Sequence, residues 1–183
     1  MSKIFFTADT HFGHNNIIKY ANRPFDSVSE MDETIISRWN ERVSADDLVY
    51  HLGDIGLCSS EKLRNILGRL NGRIHLIRGN HEKAGDDCAN EFEWVKDYHE
   101  LVINDQEAPR KKRLIVLCHY AMRVWNASHH GTWHLYGHSH GELEDLENSL
   151  SFDVGVDCHN YYPISYEEVS AIMAKKKWVS PFS

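Results

Sequence analysis

Leu48-Val49-Tyr50-His51-Leu52-Gly53-Asp54 is an apolar run that ends on a glycine and a carboxylate. Its length and composition predict a buried strand over Asp47 to Leu52. A carboxylate at the end of a buried strand loses its hydration, and a cation must offset that loss. Four other segments have the same build: Asp9-Thr10-His11, Gly79-Asn80-His81, Cys118-His119 and Gly137-His138-Ser139-His140. Each follows a strand-like run and supplies oxygen or imidazole donors. The pattern predicts that Asp54 bridges two divalent metal ions and that the other segments meet it there.

Outward from this run, the chain alternates. Lys3 to Ala8 reads as a first buried strand, and residues 12–26 as a polar loop. Ser27 and Glu30 form a capping box ahead of Val28, Met31, Ile35, Trp39 and Val43, which recur at helical spacing as a core-facing stripe. Ser60 and Glu61 open a second helix with Leu63, Ile66, Leu67 and Leu70 on one face, closed by Asn71-Gly72. Arg73 to Ile77 is the next strand. Strand–helix–strand alternation predicts parallel pairing. The second half, with strands expected at Tyr98–Ile103, Lys112–Cys118, Thr132–Tyr136 and Leu150–Val156, reads as a second, more antiparallel sheet. Ser165 and Glu168 cap a last helix.

Composition narrows the function. The chain has 183 residues, 42% hydrophobic and 26% charged, as expected for one globular domain over 1–183. A formal net charge of −7 argues against a broad nucleic-acid surface, while a small nucleotide or a nucleic-acid end stays open as substrate. The four cysteines form no CxxC pair, and the N-terminus is neither a signal peptide nor a membrane span. The expectation is a cytoplasmic protein with reduced thiols and no membrane partner. The most unusual total is 13 histidines.

The order Asp9-x-His11, Gly53-Asp54, Gly79-Asn80-His81, His119, then Gly137-His138-x-His140 resembles the calcineurin-like metallophosphoesterase superfamily. Asp153 to Asp157, followed by Tyr161 to Pro163, is similar to the C-terminal end of its small bacterial and phage members. The resemblance implies an α/β fold, a four-layer αββα sandwich with two mixed sheets face to face and helices outside. It implies one ion on Asp9, His11, Asp54 and His140, and a second on Asp54, Asn80, His119 and His138. His81 resembles the family's non-ligating histidine, which protonates the leaving alkoxide or stabilises the transition state.

The donor chemistry agrees with that set. Carboxylate and imidazole suit two divalent ions, manganese foremost, with iron, zinc or nickel as alternatives. Asn80 adds a neutral oxygen, which keeps the site open to an anionic phosphate. Two ions about 3.5–4 Å apart lower the pKa of a shared water and clamp phosphoryl oxygens. The resemblance therefore implies a phosphoesterase, with phosphodiesters such as cyclic nucleotides preferred. A small-molecule phosphomonoesterase and a non-catalytic interaction module on the same fold are the alternatives. A protein phosphatase is disfavoured, because Gly53-Asp54-Ile55-Gly56-Leu57 departs from GDxVDRG.

His14 and Arg23, in the loop after the first donor block, are the expected substrate contacts. Arg78 either serves the same purpose or pairs with a carboxylate such as Glu82. His51 and His75 sit inside strands and need a core or edge explanation. Trp125 and Trp133 either line a substrate cleft or cover the core.

Overall fold

The computed structural model describes residues 2–181. Its first sheet contains β1 (Ile4–Thr7), β2 (Leu48–His51), β3 (Arg73–Ile77), β4 (Trp94–Lys96) and β9 (Ile164–Ser165), in the order β4-β3-β2-β1-β9. Its second contains β5 (Tyr98–Asn104), β6 (Lys112–Cys118), β7 (Trp133–Tyr136) and β8 (Ser151–Asp153), in chain order. Strands β1 to β4 are parallel and β9 is antiparallel to β1. In the second sheet only β5–β6 is antiparallel, and β6–β7 and β7–β8 are parallel. The second sheet is thus the more antiparallel of the two, as expected: β5–β6 is its longest ladder, whereas the antiparallel β1–β9 pairing of the first sheet is two residues long. Segments 119–132 and 137–150 are long enough to carry the chain back to the starting edge without an α-helix.

Period-two alternation splits the first sheet between two cores. Phe5, Val49 and Ile74 are in register and face α2 (Val28–Arg42) and α3 (Ser60–Leu67), against Met31, Ile35, Trp39 and Leu63. Phe6, Tyr50, Leu52 and Ile77 face the second sheet, meeting Leu101, Ile115, Leu117, Leu135 and Phe152. The result is an αββα sandwich of two mixed sheets. Its fourth layer is thin. Over β6 and β7 the outer face is covered by loop 119–132, where Trp125 stands 5.3 Å from the His134 ring. The final helix α5 (Tyr166–Met173) closes the inter-sheet core with Val169 and Met173.

Local details differ from the sequence reading where one side chain chose another partner. Ser27 accepts from the Glu30 amide, but Glu30 reaches the amide of Asp26, so the first capping box is half-formed. Ser165 and Glu168 complete theirs. Ser60 and Glu61 open α3 as expected, with Ser59 as its cap, but the helix ends at Leu67, ahead of Asn71-Gly72. The polar loop contains a short helix α1 (Ile17–Tyr20), nucleated by burial of Ile17. A further short helix, α4 (Lys83–Asp87), follows β3. Trp125 and Trp133 are both buried and cover the core.

The two strand histidines point to opposite faces. His75 stacks on Tyr50 at 4.7 Å in the inter-sheet region. His51 lies on the helical side beside Trp39. The Thr10 hydroxyl donates to the Ile55 carbonyl at 2.8 Å and so accepts from His51 Nε2–H at 2.9 Å. Burial lowers the His51 pKa to about 3. The unfolded chain takes up this proton near pH 6.5, so stability is lost as pH falls from about 6.5 toward 3. In chelator, the thermal midpoint of His51→Gln is expected to fall less between pH 6.5 and 4.5 than that of the parent protein. Equal slopes in a melting series would remove His51 from the account.

Candidate metal centre

Because β1, β2 and β3 run parallel, their C-terminal ends reach the same edge and deliver Asp9–His11, Gly53–Asp54 and Gly79–His81 together. The parallel strands β6 and β7 deliver His119 and residues 137–140 to the facing edge. Ligand sites in open α/β sheets characteristically lie at this end. The chain must turn sharply to aim its donors inward. Asp9, His11, Asp54, His138 and His140 all adopt positive φ, between 48° and 69°. Such a conformation costs about 1–2 kcal/mol per non-glycine residue, least for Asp, Asn and His. Packing holds these turns open. The amides of Asp9, His11 and Phe12 donate to the carbonyls of Gly53, Asp54 and Ile55, each at 3.0 Å, zipping two donor loops together. Gly79 must lack a side chain, since a Cβ there would strike the Asp54 carboxylate and amide.

Two donor groups result. Asp9, His11 and His140 form one, and Asp54, His119 and His138 the other, with ligand atoms inside each group within 4.8 Å of one another. Asp54 Oδ2 stands between them, 3.5 Å from His11 Nε2 and 3.8 Å from His119 Nε2. Asn80 Oδ1 joins the second group, 3.1 Å from His119 Nε2. All seven expected metal donors are thus brought together.

The donors fit a divalent cation. Asp9 Oδ1 and His11 Nε2 are buried and have no hydrogen-bond partner among the described residues, a costly state unless a ligand engages them. His119 Nδ1 lies 2.7 Å from the Leu52 carbonyl, which can only accept, so Nδ1 carries the proton and Nε2 keeps a free lone pair. Burial, then the nearby Asp153 and Asp54, raises the Asp9 pKa well above the usual carboxylate range. Burial, then the charge of Arg23, lowers that of His11 to about 2. A bound cation relieves the first and exploits the second, because it favours an ionised carboxylate and requires a neutral imidazole.

Beneath these donors lie two buried charged residues that the motif pattern does not announce. Arg23 was expected to contact substrate, but its side chain is wholly buried and points away from solvent. Its guanidinium donates to both Asp157 oxygens at 2.8 Å, to the Asp9 carbonyl at 2.7 Å and to the Thr10 carbonyl at 3.1 Å. Asp157 in turn accepts from His140 Nδ1 at 2.7 Å, which leaves Nε2 facing the site. Burial disfavours the Asp157 charge, but its bonds to His140 and Arg23 outweigh that and hold its pKa below the usual range. One cation therefore anchors the backbone of Asp9 and Thr10 and, through Asp157, the ring of His140. Glu82 does the same for the other group. It accepts from the amides of Asp54 at 2.7 Å and Gly79 at 2.8 Å, while burial pushes its pKa up to about 7. Arg78 is occupied elsewhere, by Asp86 and Asp97, and not by Glu82.

In front of the donors opens a cavity of about 660 Å³. His14 and His81 both line it, with ring centroids 6.5 Å apart. The His81 amide donates to Asp54 Oδ1 at 2.7 Å, which fixes the backbone while the ring faces the opening. Carboxylates that orient a metal-binding imidazole are worth about 10–100-fold in metal affinity. Asp157→Asn is expected to weaken divalent-metal binding by that factor, as read by titration calorimetry. Arg23→Met leaves Asp157 buried without its cation and should cost about 3–5 kcal/mol of stability in denaturant melts. Unchanged metal affinity in Asp157→Asn would show that His140 is oriented by something else.

The family model of the calcineurin-like phosphoesterase superfamily domain matches residues 3–154. An uncharacterized protein of Methanocaldococcus jannaschii is 35% identical over 186 residues, covering 98% of this chain and 96% of that one. The gene 66 protein of Mycobacterium phage D29 is 24% identical, covering 90% and 93% of the two chains. A crystal structure of a protein of unknown function from Aquifex aeolicus shares the fold, with a TM-score of 0.71, 21% identity, and coverage of 94% of this chain and 100% of that one. Among the described residues, no helix is long and apolar enough to cross a membrane. With a superfamily domain over most of its length and two donor groups meeting at Asp54, this chain belongs to the calcineurin-like phosphoesterase superfamily, whose members hydrolyse phosphoesters with divalent metals.

Proposed function

We propose that this protein is a phosphodiesterase that works with two divalent ions, manganese foremost, held by Asp9, His11, Asp54, Asn80, His119, His138 and His140. The observation that carries the reading is the position of Asp54 Oδ2 between His11 Nε2 and His119 Nε2 at 3.5 and 3.8 Å. One carboxylate oxygen within reach of both donor groups suits a pair of ions sharing a ligand. When bound, two such ions supply an activated water and neutralise charge on the phosphoryl oxygens.

The chain's own residues do the rest. Asp54 and Asp9 balance the cationic charge, and the neutral Asn80 avoids adding a further anion at the mouth of the site. Glu82 and Arg23 keep the two donor groups at their spacing without touching substrate. His81, which lines the cavity, is the group proposed to give a proton to the departing oxygen. His14, 3.3 Å from His11 Nδ1 and also on the wall, is the remaining candidate for a phosphate contact. A diester is preferred over a monoester because the cavity lining extends beyond the donor cluster to Tyr20, Leu57 and Leu143, where an ester substituent finds apolar surface.

The test is hydrolysis of bis-p-nitrophenyl phosphate against p-nitrophenyl phosphate by metal-stripped protein re-supplied with manganese, nickel, zinc or magnesium. Metal-dependent cleavage favouring the diester is expected. Asp54→Asn should lose both metal binding and activity. His81→Ala should keep its metal content while turnover falls about 100-fold or more. Preference for the monoester would make the protein a small-molecule phosphatase. Silence with every metal, despite two bound equivalents, would favour a non-catalytic module.

A further inference from the structure

The lining of the cavity in front of the donor groups is of two kinds. One is the polar donor cluster with His14 and His81. The other is apolar, made by Ile17, Tyr20, Ala21, Leu57 and Leu143. Three of these side chains are unusually open for their type: Tyr20 is 72% exposed, Leu57 42% and Leu143 49%. They come from separate segments, the first from α1, the second from the loop after β2 and the third from the loop after β7. Scattered exposed apolar residues need no explanation, but a group gathered around one cavity marks a binding surface. The Tyr20 and His14 rings meet in a T-shaped arrangement at 6.3 Å, and most of Tyr20 stays open to solvent. Charge completes the picture. Among the described residues, no Lys or Arg lines the cavity, and Glu142 does.

We propose that the substrate is a phosphodiester monoanion bearing an uncharged aromatic ring, seated on Tyr20, Leu57 and Leu143, and that Glu142 excludes substrates with further anionic groups. The inference rests on the phosphodiesterase reading above and names its substrate class. Apolar area removed from water contributes about 25 cal/mol per Å², and a stacked ring adds to that. A second phosphate would find no protein cation and would face the Glu142 carboxylate. Nucleoside diesters and simple aryl diesters share the ring chemistry, and a nucleoside diester with additional phosphates is disfavoured.

Two measurements on the metal-loaded protein test this. In calorimetry, diphenyl phosphate is expected to bind at least tenfold tighter than dimethyl phosphate, with the difference lost in Tyr20→Ala and retained in Tyr20→Phe. In kinetics, three p-nitrophenyl diesters with a retained methyl, phenyl or 5′-thymidyl group are compared. The two ring-bearing esters should exceed the methyl ester at least tenfold in kcat/KM, mainly through KM. The thymidyl-to-phenyl ratio separates a nucleoside site from a general aryl site. Glu142→Gln should raise kcat/KM for the p-nitrophenyl phosphate dianion several-fold relative to the diester. Equal binding of diphenyl and dimethyl phosphate, or a ring preference that survives Tyr20→Ala, would overturn the inference. No hydrolysis of any ester alongside a Tyr20-dependent preference in calorimetry would instead overturn the phosphodiesterase reading and leave the ring site standing.

Discussion

Asp54, 2% exposed, sits where two imidazole-bearing loops converge, and among the described residues no Lys or Arg pairs with it. A carboxylate in such surroundings is costly, because burial removes water and neutral imidazoles return only partial compensation. Much of the molecule is arranged to make that position tenable. The Glu82 clamp, the absent side chain at Gly79 and the parallel strands all bring groups to one carboxylate. The same unpaired charge gives the site its appetite for metal ions, since a cation is what the donor groups lack.

The supports on the two sides are of opposite sign. Arg23 lies under Asp9, Thr10 and, through Asp157, His140. Glu82 lies under Asp54 and Gly79. Glu82 is satisfied by backbone amides of the donor loops, and Arg23 divides its donors between the Asp157 carboxylate and the carbonyls of Asp9 and Thr10, so both restrain main chain. That choice suits loops whose residues are held at positive φ, where the strained backbone is what needs restraint. It also keeps both groups out of the cavity lining.

Ahead of the donors the cavity lining mixes polar and apolar groups, and the apolar ones come from the segments between strands, not from the sheets. Helix α1 supplies Ile17 and Tyr20, and the turn after β7 supplies Glu142 and Leu143. The sandwich positions the chemistry, and the loops that cross its open end shape what reaches it.

The sequence by itself determined the donors, the strands that carry them and the layered fold. Alternating apolar runs ending in Asp, Asn and His are local signals, and Phe5, Val49 and Ile74 could only face one way once their strands paired. The neutrality of Asn80 follows from residue type, and the separate place of His81 from the family resemblance. Other features were not legible. Arg23 and Asp157 are 134 residues apart, and nothing near either residue announces the other. Glu82 looks like an ordinary surface acid until the Asp54 and Gly79 loops close over it. Only the tertiary structure decided these, and it made Arg23 a buried anchor instead of a substrate contact. The physical reason is that an ion's role is set by what surrounds it once water is gone, and that environment is assembled from distant parts of the chain.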